Sequence, residues 1–394
     1  MDPQSALSEL IPHYEHFLSE LVRVPSVRGQ EGKAQALIRS CMEAVGLEVD
    51  CVYSRDDDQA INLSGRLHGT SPAICQSLVL NAHCDVAPID RPEAWSRNPF
   101  SGDIVDKILH GRGALDDKAG IAVALLVADA LRRSGARLGG DLLIQSVIED
   151  ETSGGGSQAL VAAGHVGDGV VICDGTWPWR IIHSHLGQVF ADVQVRGDPV
   201  AACVEFRGVN PAYIAIELLE KLHAAVAQWA SEAKPFQGIE RPFFVNLGSF
   251  HSGAWYGSVP VDARLQLQIG FAGVKPKDIL SRLQRIAALV SDRITVSPGT
   301  LQVAAWDASQ GNRMVGALRE VVEHYGEQEL RLQAVTGHCD MQYFPTPDVC
   351  LYGPGGGKNP HGVDEVYFLD HMPIVARNLI DLALRWCNQP KAPR

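Results

Sequence analysis

Apolar positions near the start of the chain recur every three or four residues: Leu7, Leu10, Ile11, Tyr14, Phe17, Leu18 and Leu21. That spacing lines one face of a helix and predicts an amphipathic helix there. A second helical stretch covers 33–45. Short unbroken apolar runs at 77–81 (SLVLN), 141–148 (DLLIQSVI) and 170–173 (VVIC) read as buried strands, with an Ala/Leu/Val-rich helix at 115–133. Buried strands alternating with helices predict an α/β fold, a mostly parallel sheet covered by helices on both faces. Near residue 188 the pattern changes, and 188–197 (QVFADVQVRG) alternates apolar with polar residues like a strand with one wet face. A helix over about 211–229, strands around 243–250 and 263–271, a helix at about 277–290 and a strand at 293–296 complete a β-α-β-β-α-β order, which is ferredoxin-like. A helix at 312–325, a strand at 349–352 and a helix at 372–386 then resume the first pattern. The expected organisation is one domain from 1–187 and 303–394, with an α+β domain inserted at 188–302.

Charge narrows the function classes. With 34 Lys+Arg against 46 Asp+Glu the net charge is −12, which argues against nucleic acid or an anionic membrane as the main partner. No run approaches the roughly 18 apolar residues of a membrane span, and the first residues do not resemble a secretion signal. The nine cysteines are scattered and form no CxxC pair, so a reduced, cytoplasmic protein is expected.

The candidate chemistry falls where the parallel strands should end. His83 and Asp85 follow SLVLN in NAHCDVAP. Asp116 and Asp117 precede the Ala-rich helix in GRGALDDKAG. Glu149, Asp150 and Glu151 follow DLLIQSVI, and Asp174 follows VVIC. Ligands of open parallel sheets bind beyond the carboxyl ends of the strands, so these groups should meet in one crevice. Four or five like charges there repel unless a cation sits among them. Imidazole mixed with carboxylate suits zinc, cobalt or manganese better than calcium or magnesium. His361, in LYGPGGGKNPHGVDE, is a second candidate imidazole. Taken singly, each residue has a plainer role: Asp116 and Asp117 as helix caps, Glu149–Glu151 as an acidic loop, His361 as a surface residue. Cys84 should point away from its neighbours and pack.

The motifs NAHCDVAP, GRGALDDKAG, EDETSGG, VICDG and GPGGGKNPHGVDE resemble, in order and separation, those of the zinc-dependent deacylases and peptidases. That family includes acetylornithine deacetylase, succinyl-diaminopimelate desuccinylase, aminoacylase and carboxypeptidase G. The resemblance spans almost the whole chain. It implies two zinc ions per subunit, with cobalt or manganese as substitutes. Asp116 would bridge them, His83 and Asp174 would complete one set of ligands, and Glu151 and His361 the other. Asp85 would hold the His83 imidazole, and the Asp116–Asp117 peptide would be cis. Asp150 would be the general base of amide hydrolysis, at a position where the family usually has glutamate; Glu149 is the alternative. The inserted domain would be a lid through which the protein forms a homodimer. The implied substrate is a small linear amide, most simply an N-acyl amino acid or analogue, with a dipeptidase or carboxypeptidase as the alternative.

Two positions depart from the pattern. The family's lid offers a histidine that stabilises the tetrahedral oxyanion; in VQVRGDPVAACVEFRGVN that place holds Ala201. Loss of such a donor costs about 10²–10³ in rate, so the chain is either a natural variant, extending to a metal-binding protein without turnover, or carries an introduced alanine. In LQLQIGF, Gln268 stands where an arginine usually grips the substrate carboxylate, and a neutral amide is no bidentate clamp. Asn246, in FFVNLGS, matches a lid asparagine that contacts substrate.

Overall fold

Residue contacts divide the protein into two units, Met1–His183 with Ala308–Gln333 and Cys339–Arg394, and Ser184–Asp307 with Ala334–His338. The computed structural model describes residues 1–55, 57, 60–326 and 328–391. Along the chain, α1 (Pro3–Val22) and α2 (Gly32–Val45) precede β1 (Glu48–Tyr53), β2 (Ile61–Leu67) and β3 (Leu78–His83). Then come β4 (Asp103–Val105), β5 (Ile108–His110), α3 (Lys118–Ser134), β6 (Leu142–Val147), α4 (Gly155–Ala162), β7 (Gly169–Ile172) and β8 (Arg180–His185). The second unit follows with β9 (Gly187–Arg196), α5 (Pro211–Glu232), β10 (Phe244–Ser252), β11 (Asp262–Phe271), α6 (Pro276–Val290), β12 (Ile294–Val303) and β13 (Trp306–Asp307). The chain closes with α7 (Arg313–Tyr325), β14 (Arg331–Val335), β15 (Val349–Leu351), β16 (Gly357–Lys358), β17 (Val366–Phe368) and α8 (Met372–Trp386).

In the first unit the sheet runs β1-β2-β6-β3-β7-β15-β8. Its centre is parallel (β6–β3, β3–β7, β7–β15), and β1, β2 and β8 add antiparallel margins. Every residue of β3, β6 and β7 is buried. Burial of both side-chain faces requires cover on both sides of the sheet, as the unbroken apolar runs predict. The helix α3 is buried along most of its length because its alanines let neighbouring elements approach on several sides. Its first helical residue is Lys118; residues 115–117 form the turn before it.

The second unit is a four-stranded antiparallel sheet in the order β10-β11-β9-β12. Alternate residues of β9 and β11 are buried. Val193, Val195, Leu265 and Leu267 pack with Leu218 and Leu222 of α5 and Ile279 and Leu283 of α6. The opposite face, with Gln194, Arg264 and Gln266, is exposed.

Candidate metal centre

The neighbours β6, β3 and β7 run parallel, so their carboxyl ends come together. His83 is the last residue of β3, Asp150 and Glu151 lie in the turn after β6, and Asp174 follows β7 by two residues. Asp116 reaches the same place from the turn before α3. The companion carboxylate of Asp117 accepts from Gly120 N at 3.2 Å and from His83 N at 3.4 Å. It caps α3 and ties the helix start to the end of β3. The capping role considered for both aspartates thus belongs to Asp117, while Asp116 faces the cluster; the peptide between them is cis. A Cβ at Gly120 would lie 2.0 Å from the Cys173 carbonyl oxygen. Only glycine lets the first turn of α3 come so close to the end of β7.

Asp116 presents one carboxylate oxygen to each imidazole. Its Oδ1 is 3.1 Å from His83 Nε2, and its Oδ2 is 3.0 Å from His361 Nε2. His361 Nε2 also lies 3.0 Å from Glu151 Oε1. Two donor groups result, His83/Asp116/Asp174 and Asp116/Glu151/His361, each with its ligand atoms within 4.8 Å of one another. His83 Nδ1 donates to the Asp85 carbonyl at 2.9 Å, with the Asp85 carboxylate 3.5 Å away. The main chain of Asp85, with its carboxylate near by, therefore fixes the tautomer that leaves Nε2 toward the cluster.

The electrostatics show how crowded this place is. Burial, then the Asp116 charge, raises Asp174 to about 7 and raises Glu151 as well. Burial, then Asp340, holds the Asp150 carboxyl well above the ordinary range. Burial opposes ionisation of Asp116, but hydrogen bonds from His361 and His83 outweigh it and keep this carboxylate strongly acidic. Burial likewise disfavours charge on His83, yet Asp150, Asp116 and Asp85 raise its pKa well above the usual imidazole value. Hydrogen bonds to Asp116 and Glu151 raise His361 to about 11. Three carboxylates of the two donor groups converge on the two imidazoles. A divalent cation answers the repulsion among the carboxylates, and this mixture of imidazole and carboxylate suits one. These residues can hold metal.

Glu149 is differently engaged. Its carboxylate pairs with Arg55 and lies 3.5 Å from Arg28, and it accepts from Ser153 Oγ at 3.1 Å. Its carbonyl accepts from Ser153 N and Gly154 N, so the residue builds the turn that carries Asp150 and Glu151. Cys84 is wholly buried in the apolar core, as its position between His83 and Asp85 predicts. In the second unit, Gln268 pairs with Asn246 across β10 and β11, and its side chain donates to Gln188 at 2.7 Å. Ala201 is exposed beside the antiparallel bridge it makes with Ser258.

Two acids escaped the sequence reading. Asp340 is buried, accepts from Ser157 Oγ and is pushed up to about 6 by burial. It does not follow an apolar strand, so the strand-end rule passes over it. Glu365, four residues beyond His361, is also buried; it lies in a loop, where no strand pattern marks a residue as buried.

Residues 79–385 match peptidase family M20/M25/M40. The chain belongs to this family. As an M20/M25/M40 member it is a hydrolase acting on amide bonds. It is 31% identical to the N-formyl-4-amino-5-aminomethyl-2-methylpyrimidine deformylase of Halalkalibacterium halodurans, over 98% of this chain and 99% of that protein. It is 27% identical to the succinyl-diaminopimelate desuccinylase of a Methylobacterium species, over 92% and 93% of the two chains. A dipeptidase of Saccharomyces cerevisiae shares the fold at a TM-score of 0.83, with 14% identity over 99% of this chain and 98% of that one. No helix among the described residues is long and apolar enough to cross a membrane.

Proposed function

We propose that the protein removes an acyl group from a small linear amide, an N-acyl amino acid or an analogue of one, using two zinc ions per subunit. The observation that carries this reading is the shared carboxylate of Asp116, whose two oxygens serve two separate imidazoles at 3.1 and 3.0 Å. His83 and Asp174 would hold one ion with Asp116; Glu151 and His361 would hold the other. When bound, the ions supply Lewis acidity toward the amide carbonyl and acidify water.

Asp150 is the group that moves the proton. Its Oδ2 lies 3.9 Å from His83 Nε2, so it borders the donor groups without joining either. Burial and the neighbouring Asp340 make its carboxylate a stronger base than an exposed one. It takes a proton from the attacking water and returns it to the leaving nitrogen, which departs as an amine. Glu149, bound to Arg55, is not free for this work. Asp85 orients His83 through its carbonyl.

Gln268 favours an amide anchored by something other than a free carboxylate. The deformylase relative carries a name with an amide and no carboxylic acid. A dipeptidase or carboxypeptidase needs the opposite, a cationic grip on the terminal carboxylate. Asn246, opposite Gln268, is the other substrate contact in this reading.

Tyr213 and Ile216 on α5 and Phe250 on the edge strand β10 are exposed apolar side chains, and they support a homodimer formed through this unit. Nine free cysteines suit a reduced, cytoplasmic setting.

The test is hydrolysis by zinc-loaded protein of N-formyl and N-acetyl amines, N-acyl amino acids and dipeptides. Chelation should abolish turnover of the best substrate and added zinc restore it. Turnover indifferent to chelation would overturn the reading.

A further inference from the structure

Two loops meet at the Asp116 side of the cluster, and one buried ion pair ties them together. Glu365 is wholly buried. Its Oε1 accepts from Leu115 N at 2.9 Å and Asp116 N at 3.2 Å; its Oε2 accepts from Gly113 N at 3.1 Å and from Arg112 Nη1 at 2.5 Å. The same residue's carbonyl accepts from Gly111 N at 3.0 Å. Arg112 reaches back across the junction: its Nη2 donates to the Gly362 carbonyl at 3.2 Å, and its guanidinium lies 5.3 Å from the centre of the Trp95 ring. One carboxylate therefore grips the main chain that delivers Asp116, and its partner grips the main chain next to His361.

The His361 loop has need of such a grip. His83 ends a strand and Asp174 follows one closely, so ladder hydrogen bonds fix their approach. His361 has no such support. Its φ is +59°, and within a few residues Asn359 (+57°) and Asp364 (+55°) are left-handed too. Non-glycine residues persist in that region only where their surroundings over-determine them. A buried ion pair is weak evidence for stability, because desolvation offsets much of its attraction. Its strength here is geometric: a planar fork and a carboxylate with its donors in place define one separation between two loops.

We propose that the Arg112–Glu365 pair is a positioning clamp that sets Asp116 against His361. It thereby governs the Asp116/Glu151/His361 ion more than the His83/Asp116/Asp174 ion. The proposal rests on the two-ion reading above.

The experiment titrates the metal-free, full-length chain with Co²⁺, followed by calorimetry and by the visible absorption of the bound ion. Wild type should take up two ions. Glu365→Gln should keep one at an affinity within about threefold and weaken the other by about 10–100-fold, the usual cost of losing an outer partner of a metal ligand. Arg112→Lys keeps the charge, loses the fork and should weaken the same ion; it carries the test if Glu365→Gln does not fold. Equal weakening of both ions would mark the pair as merely structural and overturn the clamp, as would unchanged binding. A wild-type chain that binds fewer than two ions would overturn the two-ion reading and the clamp with it.

Discussion

The two units use their polar side chains in opposite ways. In the first, acids and imidazoles are driven together at the carboxyl end of a buried sheet, where Asp116 touches His83 and His361, and burial raises Asp174 while the imidazoles keep Asp116 acidic. In the second, one face of the sheet is left to exposed polar groups, and where the resemblance expects an imidazole and a guanidinium stand Ala201 and Gln268. In the proposed function, the first unit supplies the metal ligands and the base. In the same proposal, Ala201 and Gln268 of the second unit bear on how fast the oxyanion forms and which amide is accepted.

The largest effect should come from the first unit. Asp150→Ala should lower kcat by about 10²–10⁴ while zinc content, measured by elemental analysis, stays as in wild type. Loss of metal together with activity would make Asp150 a ligand instead of the base. Next comes the second unit's alanine: Ala201→His should raise kcat by about 10²–10³, the worth of one oxyanion donor. Unchanged turnover would mean that this unit has found another donor, or that it serves binding alone. Smallest, and confined to substrate choice, is Gln268→Arg. It should lower KM for carboxylate-bearing amides by about tenfold, roughly one charge-assisted hydrogen bond, and leave neutral amides unaffected. An equal gain for both classes would remove Gln268 from specificity.

Much of this contrast was legible in the chain. Continuous apolar runs gave away β3, β6 and β7, and the acids just past their ends followed from the rule that parallel sheets bind at their carboxyl edge. The alternation of β9 announced the other unit. Spacing alone could not tell Asp117 from Asp116, and only the resemblance singled out Asp116, because capping and ligation use the same side chain and the turn decides which carboxylate faces inward. Glu149 and Asp150 posed a similar problem, and only the fold shows that Glu149 pairs with Arg55, 94 residues earlier. Asp340 and Glu365 stayed hidden because a buried acid in a loop is identified by its partners, and those lie 183 residues away at Ser157 and about 250 away at Leu115 and Gly113.

Gly120 shows where this site is least forgiving. It donates nothing to the cluster from a side chain, yet the gap between the end of β7 and the start of α3 is as narrow as a hydrogen atom allows. Any larger residue would wedge Asp174 away from Asp116. The bite of the whole cluster is thus gauged by a missing methyl group, and a search for function that weighs only reactive side chains would step over the position that sets its scale.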